Sequence, residues 1–259
     1  MGPFDDRVAN IFRKIVLNNC ERLCVRESIS AGYLSKLKLG KQVVVTLDSA
    51  FQSKIDMNYY EKQLDNDDDL NSFLLSYKRV VGITITDLMW HPTLNGKYTE
   101  QIKTAFNSVI RLLTDQGIGI VFIPQLFDKT NDSSIMKEYM NKDCYMLADK
   151  YDCYFQQYLI SKLYAVIGMR YHSNIFSAKM ETPFISIAYE QKMKGFMNHI
   201  KCENYCIDIS QLNEKILKEK ILTLNDNYNE YKQFLHDIHE RLVNESKQTT
   251  QLLVEAIKR

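Results

Sequence analysis

From Arg79 onward the chain alternates short, unbroken apolar runs with longer amphipathic segments, and no other feature restricts its fold as much. Arg79–Thr86 (RVVGITIT), Gly117–Ile123 (GIGIVFI), Leu163–Gly168 and Phe184–Ala188 are the runs. A strand with one wet face alternates apolar and polar residues, whereas a strand covered on both faces does not. The clearest intervening segment is Thr99–Thr114, where Ile102, Ala105, Phe106, Val109, Ile110, Leu112 and Leu113 recur at helical spacing. Asp132–Ala148 reads as another helix, and Asp152–Tyr164 as a short strand and a helix. Cys206–Ile209 reads as one more edge strand, and Leu212–Leu222 and Tyr228–Ile257 as helices. The β-α repetition predicts an α/β protein with a parallel sheet covered by helices on both faces.

Within that pattern, Leu163–Phe196 is the stretch richest in chemistry. The run ending at Gly168 releases Met169-Arg170-Tyr171-His172, followed by a helix-like segment, Ser173–Met180. Thr182-Pro183 breaks the chain before Phe184–Ala188, which releases Tyr189-Glu190-Gln191-Lys192. In open α/β sheets ligands bind outside the carboxyl ends of the strands, so these two groups are expected to share one crevice.

The chain before Arg79 repeats the motif in part. Gly2-Pro3-Phe4 reads as a turn and Asp5-Asp6 as a helix start. Val8, Ile11, Phe12, Ile15 and Val16 then form one helical stripe, expected to be buried. Leu23-Cys24-Val25 and Val43–Leu47 read as strands flanking a helix over about Ala31–Leu37, capped by Ser28 or Ser30. No earlier strand is present, so the expectation is a chain that begins partway through a domain. Residues 52–76 read as a surface linker, and Asp65–Asp69 within it as a solvated acidic run. The expected organisation is the tail of a first Rossmann-like domain over 1–51, the linker 52–76, a second Rossmann-like domain over 77–227, and a C-terminal helix over 228–259.

The 33 basic and 32 acidic side chains leave a formal charge of +1, without the concentrated basic surface that nucleic-acid binding requires. The six cysteines form no CxxC. Cys20/Cys24 and Cys202/Cys206 have i,i+4 spacing, but reduced, buried thiols in a cytosolic protein are the plainer reading. No apolar run approaches the roughly 20 residues of a membrane span. GxGxxG, P-loop and GxSxG motifs are absent from the sequence, so nicotinamide, ATP and serine-hydrolase readings lose support.

What remains favours a small dianionic ligand. Arg170 offers a planar fork that suits phosphate or carboxylate, His172 can move a proton near neutral pH, and a helix N-terminus beside them favours an anion. A salt-bridged arginine and a hydrogen-bonded histidine at a packed corner are the alternative. Tyr189 and Lys192 read as further ligand contacts, or as a core-edge tyrosine and a solvated lysine. Arg26, at a strand end beside Glu27, reads as a ligand residue or an interdomain ion pair. His91 follows a strand in a polar loop, where it can line the crevice. His199, His236 and His239 lie in helix-like surface stretches.

The segment VIGMRYHSNIFSAKMETPFISIAYEQKMKGFM resembles the C-terminal signature of the polysaccharide pyruvyl transferase family. The matching features are Arg170-Tyr171-His172 after an apolar strand, Pro183 before the next, and Tyr189…Lys192 after it. Gly2-Pro3-Phe4, Val25-Arg26-Glu27 with Ser30, Asp48-Ser49-Ala50-Phe51 and the strand Val81–Thr86 match in the same order. The resemblance implies a glycosyltransferase-B-like fold of two Rossmann-like domains. It also implies transfer of a pyruvyl group from phosphoenolpyruvate to a sugar of a cell-surface or exopolysaccharide precursor in the cytoplasm, the acceptor being lipid- or nucleotide-linked. On it, His172 is the acid/base, and Arg170, Tyr171, Arg26, Lys192 and Tyr189 bind substrate, with no metal and no cofactor beyond the donor itself. Members normally carry more chain before the Gly-Pro-Phe turn. A nucleotide-sugar-dependent glycosyltransferase and an inactive truncated or binding remnant are the alternatives, and a homo-oligomer is compatible with either.

Overall fold

The computed structural model describes residues 4–127 and 131–258; Gly2 and Pro3 of the expected N-terminal turn lie outside them. In chain order the elements are α1 (Arg7–Asn19), β1 (Leu23–Val25), α2 (Ser28–Ser35), β2 (Val43–Val45), α3 (Met57–Asp65), α4 (Asp68–Leu75), β3 (Val80–Thr84) and α5 (Thr99–Asp115). There follow β4 (Gly119–Phe122), α6 (Asp132–Met136), β5 (Cys144–Met146), α7 (Cys153–Lys162), β6 (Ala165–Gly168), α8 (Tyr171–Lys179), β7 (Phe184–Ala188), α9 (Gln191–His199), β8 (Cys206–Asp208), α10 (Glu214–Asp226) and α11 (Tyr228–Ile257).

These elements form two compact units. The first holds the chain through Ser53, Glu190–Glu203 and the chain from Ile238; the second holds Lys54–Tyr189 and Asn204–Asp237. Residues 190–203 therefore leave the expected second domain for the first unit, and α11 contributes to both.

The second unit carries a six-stranded sheet in the order β5-β4-β3-β6-β7-β8, with every pairing parallel. Renumbered within the unit this is 3-2-1-4-5-6, the Rossmann order, whose topological switch point lies between β3 and β6. The unbroken apolar runs of the sequence become the fully buried strands β3, β4, β6 and β7. Helix α5 buries the stripe Ile102, Ala105, Phe106, Val109, Ile110 and Leu113 and packs with α10, while α7 packs with α8. In this strand order, crossovers that follow the right-handed rule for parallel strands lead to opposite faces of the sheet on the two sides of the switch point.

Three expectations are corrected. The expected linker 52–76 is no linker, since from Lys54 it belongs to the second unit and holds α3 and α4: Asp56 caps α3 through Tyr59 N and Asp67 caps α4 through Leu70 N, both at 3.0 Å. Asp67 also binds Lys150 at 2.8 Å and the Tyr151 hydroxyl, so the acidic run supplies caps and tethers. Burial raises the Asp67 pKa, but these partners more than offset it and hold the carboxyl at about 2. Second, the helix expected over Asp132–Ala148 stops at Met136, because Cys144–Met146 leave local periodicity to pair with β4 as the sheet edge.

The third correction lies in the first unit. Its parallel pair β1–β2 runs in register from Leu23↔Val43 to Val25↔Val45, α2 packs on α9, and Phe51 meets Phe196 at 6.3 Å. Helix α1 forms where expected, with Asp6 capping Ala9 N, yet Val8, Ile11, Phe12, Ile15 and Val16 are each between 56% and 66% exposed. The spacing groups these side chains on one face; it does not specify what covers that face.

Candidate active site

The last residues of β3 and β6 form, with the middle of β7, a row of small residues held in register: Thr84↔Gly168 and Gly168↔Ser186. Helix α8 seats directly on this row. Thr84 Oγ1 accepts from the backbone N–H groups of Met169 (2.9 Å) and Arg170 (3.2 Å) and bonds the Ser173 hydroxyl at 3.1 Å. Asn174 donates to Ser186 Oγ at 2.8 Å. A Cβ on Gly168 would stand 2.2 Å from Asn174 Oδ1 and 2.6 Å from Ser173 Oγ, so only glycine lets the helix sit this close. The sequence thus fixes the backbone of Arg170-Tyr171-His172 from below.

Above the row, Arg170 turns inward. Its Nε donates to Asp132 Oδ2 at 3.0 Å and its Nη2 to Asp132 Oδ1, a bidentate pair with a fully buried carboxylate. Asp132 is held in turn by the N–H groups of Gln125 and Leu126, both 3.1 Å away, at the end of β4. Burial works against the Arg170 charge, but Asp132 and the Tyr189 hydroxyl more than offset it and raise its pKa above the ordinary arginine value. The guanidinium lies over the Trp90 ring, 5.1 Å from its centroid, and Trp90 Nε1 donates to the buried Thr86 at 3.0 Å. Tyr189 stands edge-on to both Trp90 (6.2 Å) and His91 (6.1 Å).

The expected residues are placed as follows. His172 is exposed on the first turn of α8, with Tyr171 and Phe176 as ring neighbours at 5.5 and 5.9 Å. Tyr171 is buried. Tyr189 joins Arg170 in the second unit. Lys192 belongs to the first unit and pairs with Glu190 at 2.6 Å. Arg26, also in the first unit, is half exposed and pairs with the buried Asp48 at 2.5 Å. Glu27 is buried and caps α2 through Ser30 N. His199 pairs with Glu245 and His236 with Glu181.

Three residues of the rim escape a reading of the sequence. Asp132 looks like part of a helix start, since Asn131-Asp132-Ser133 is cap-like and Asn131 is indeed the cap. Thr84 and Thr86 look like ordinary strand residues. Only the sheet order brings them beside Arg170. Among the described residues, no three His, Cys, Asp or Glu side chains converge as a metal site, and no helix is long and apolar enough to cross a membrane.

The arrangement is an arginine locked to a buried carboxylate and flanked by Trp90 and Tyr189 at a topological switch point, with a histidine on the adjoining helix turn. The sequence profile described as polysaccharide pyruvyl transferase matches residues 1–191. The amylovoran biosynthesis protein AmsJ of Erwinia amylovora is 23% identical over 251 residues, covering 90% of this chain and 58% of AmsJ. The chain therefore spans less than two thirds of that relative. Among solved structures, a Listeria monocytogenes protein provisionally assigned as a UDP-N-acetylglucosamine 2-epimerase superposes with a TM-score of 0.64 at 13% identity, over 99% of this chain and 64% of its own. The UDP-GlcNAc 2-epimerase of Neisseria meningitidis gives 0.60 at 12% identity, over 98% and 65%. These likenesses establish a glycosyltransferase-B-like, Rossmann-type fold.

Proposed function

The chain belongs to the polysaccharide pyruvyl transferase family, and from that premise we propose that it moves the pyruvyl group of phosphoenolpyruvate onto a saccharide of an exopolysaccharide precursor. Two sugar hydroxyls and one phosphoenolpyruvate give a pyruvate ketal and inorganic phosphate. The first hydroxyl oxygen bonds to C2 of the donor while a proton is delivered to the methylene carbon C3. The second hydroxyl oxygen then replaces the phosphate at C2, and its proton leaves with the phosphate.

The observation that carries this reading is the rim around Arg170. Its Nε and Nη2 are committed to Asp132, which locks the guanidinium plane. We assign the Nη1 edge, with the Tyr189 hydroxyl, to an anionic oxygen of the donor. The exposed His172, on the first turn of α8, is assigned the proton transfer, since an imidazole both accepts and releases a proton near neutral pH. Tyr171, being buried, holds the turn rather than the ligand. For Arg26 and Lys192 an anion-binding role rests on the family resemblance alone. We propose that the reaction needs no metal or further cofactor and takes place in the cytoplasm.

The test is phosphate release from phosphoenolpyruvate with galactose, mannose and N-acetylmannosamine acceptors. Release should require an acceptor and fall at least about hundredfold in His172→Ala. Equal release by both proteins would remove His172 from the reaction. Release of UDP from a UDP-sugar, with phosphoenolpyruvate left intact, would remove the proposed donor.

A further inference from the structure

We propose that His91 is a further substrate-binding residue of this rim, donating a hydrogen bond from Nε2 to an anionic oxygen of the bound donor. The inference rests on reading the Arg170 rim as the phosphoenolpyruvate site. It starts from the tautomer. The backbone N–H groups of Thr93 and Leu94 both donate to His91 Nδ1 at 3.3 Å, and the Thr93 hydroxyl lies 3.2 Å from it. Two backbone donors aimed at Nδ1 require a lone pair there, so the ring proton sits on Nε2. The ring is a fixed donor.

Its place is fixed too. His91 follows β3, one of the two strands that define the switch point, where ligands of this sheet order bind. Its ring is 5.6 Å from Trp90 and 6.1 Å from Tyr189, the two aromatic rings that flank Arg170. The loop is braced below by the buried Leu88, whose carbonyl accepts from His91 N (3.1 Å) and Gly96 N (3.2 Å). Leu88 holds a φ of +60°, a left-handed conformation that a branched apolar residue adopts only when its surroundings enforce it. A strained, buried brace presents a half-buried imidazole beside the Trp90 and Tyr189 rings. That is more structure than capping a surface turn requires.

The competing role is that His91 only caps the turn, and one substitution separates the two. Asparagine accepts from backbone N–H groups two and three residues on, so His91→Asn keeps the cap and loses the Nε2 donor. His91→Ala loses both. Trp90 is the sole tryptophan of the chain, so its fluorescence reports on this rim directly. Phosphoenolpyruvate, inorganic phosphate and UDP are titrated separately against wild type and both variants, with calorimetry as a second readout. The expected result is that phosphoenolpyruvate binds wild type and that His91→Asn and His91→Ala both weaken it at least about tenfold, the loss of one hydrogen bond to a charged group. If His91→Asn binds like wild type while folding normally, His91 is a cap and the proposal is overturned. If wild type fails to bind phosphoenolpyruvate by either method, or binds only UDP, the reading of the rim falls and the proposal with it.

Discussion

Replacing Asp132 by asparagine should be among the most damaging isosteric changes this protein can suffer. The carboxylate is fully buried and answers the charge of Arg170 through two hydrogen bonds. Removing one partner of a buried ion pair leaves the other charge uncompensated, at a typical cost of about 3–5 kcal/mol. Two features reduce it here. The asparagine oxygen can still accept from Gln125 and Leu126 N–H, and the Trp90 face still attracts the guanidinium by about 1 kcal/mol. The loss should therefore be about 3 kcal/mol. Urea unfolding followed by Trp90 fluorescence reads it directly: with a slope near the upper end of the usual range, the midpoint should fall by about 1 M at unchanged slope. The double variant Asp132→Asn/Arg170→Met, which removes the stranded charge, should regain more than half of the loss. A single-variant cost under about 1 kcal/mol, or a double variant no more stable than the single, would refute the claim that Arg170 and Asp132 form a mutually dependent buried pair.

Other expectations follow from the same packing. Lys179 is buried against Gln157 at 2.8 Å, and burial lowers its pKa to about 8. The folded form binds its proton less readily than the unfolded chain, so the destabilisation is full below pH 8 and fades as pH rises toward the unfolded value. Lys179→Met, which gives up the hydrogen bond to Gln157, should gain about 1–2 kcal/mol at pH 7 in thermal unfolding, and the gain should shrink between pH 8 and pH 10.5. Gly168→Ala should cost about 1–3 kcal/mol and depress turnover, because the new methyl group pushes Asn174 and Ser173 off the strand row that seats α8. Phe12→Ser, in the exposed stripe of α1, should change stability by less than about 0.5 kcal/mol in the isolated chain.

The sheet was legible because its strands are covered on both faces: Val80–Thr84, Gly119–Phe122 and Phe184–Ala188 could be read as unbroken apolar runs without any knowledge of their order. The motif Arg170-Tyr171-His172 was legible because a strand end followed by a helix start has a local signature. Asp132 was not, since its pairing with Arg170 depends on β4 and β6 flanking β3, and that is a long-range fact. The acidic run Asp65–Asp69 misled in the opposite direction: composition marked it as solvated, and only backbone geometry shows Asp67 to be the cap of α4. Helix α1 was legible as a helix and illegible as an exposed one.

Pyruvyl transfer itself is the central claim, and the mass of the acceptor sugar tests it most directly. After incubation with phosphoenolpyruvate and the chain, an acceptor that has taken the ketal gains one pyruvate less one water, and carbon-13 placed at C2 of the donor appears as a quaternary ketal carbon bonded to two sugar oxygens. The account predicts that product with wild type and its loss with His172→Ala. An acceptor of unchanged mass across the sugar panel, or label that reaches free pyruvate only, would contradict it.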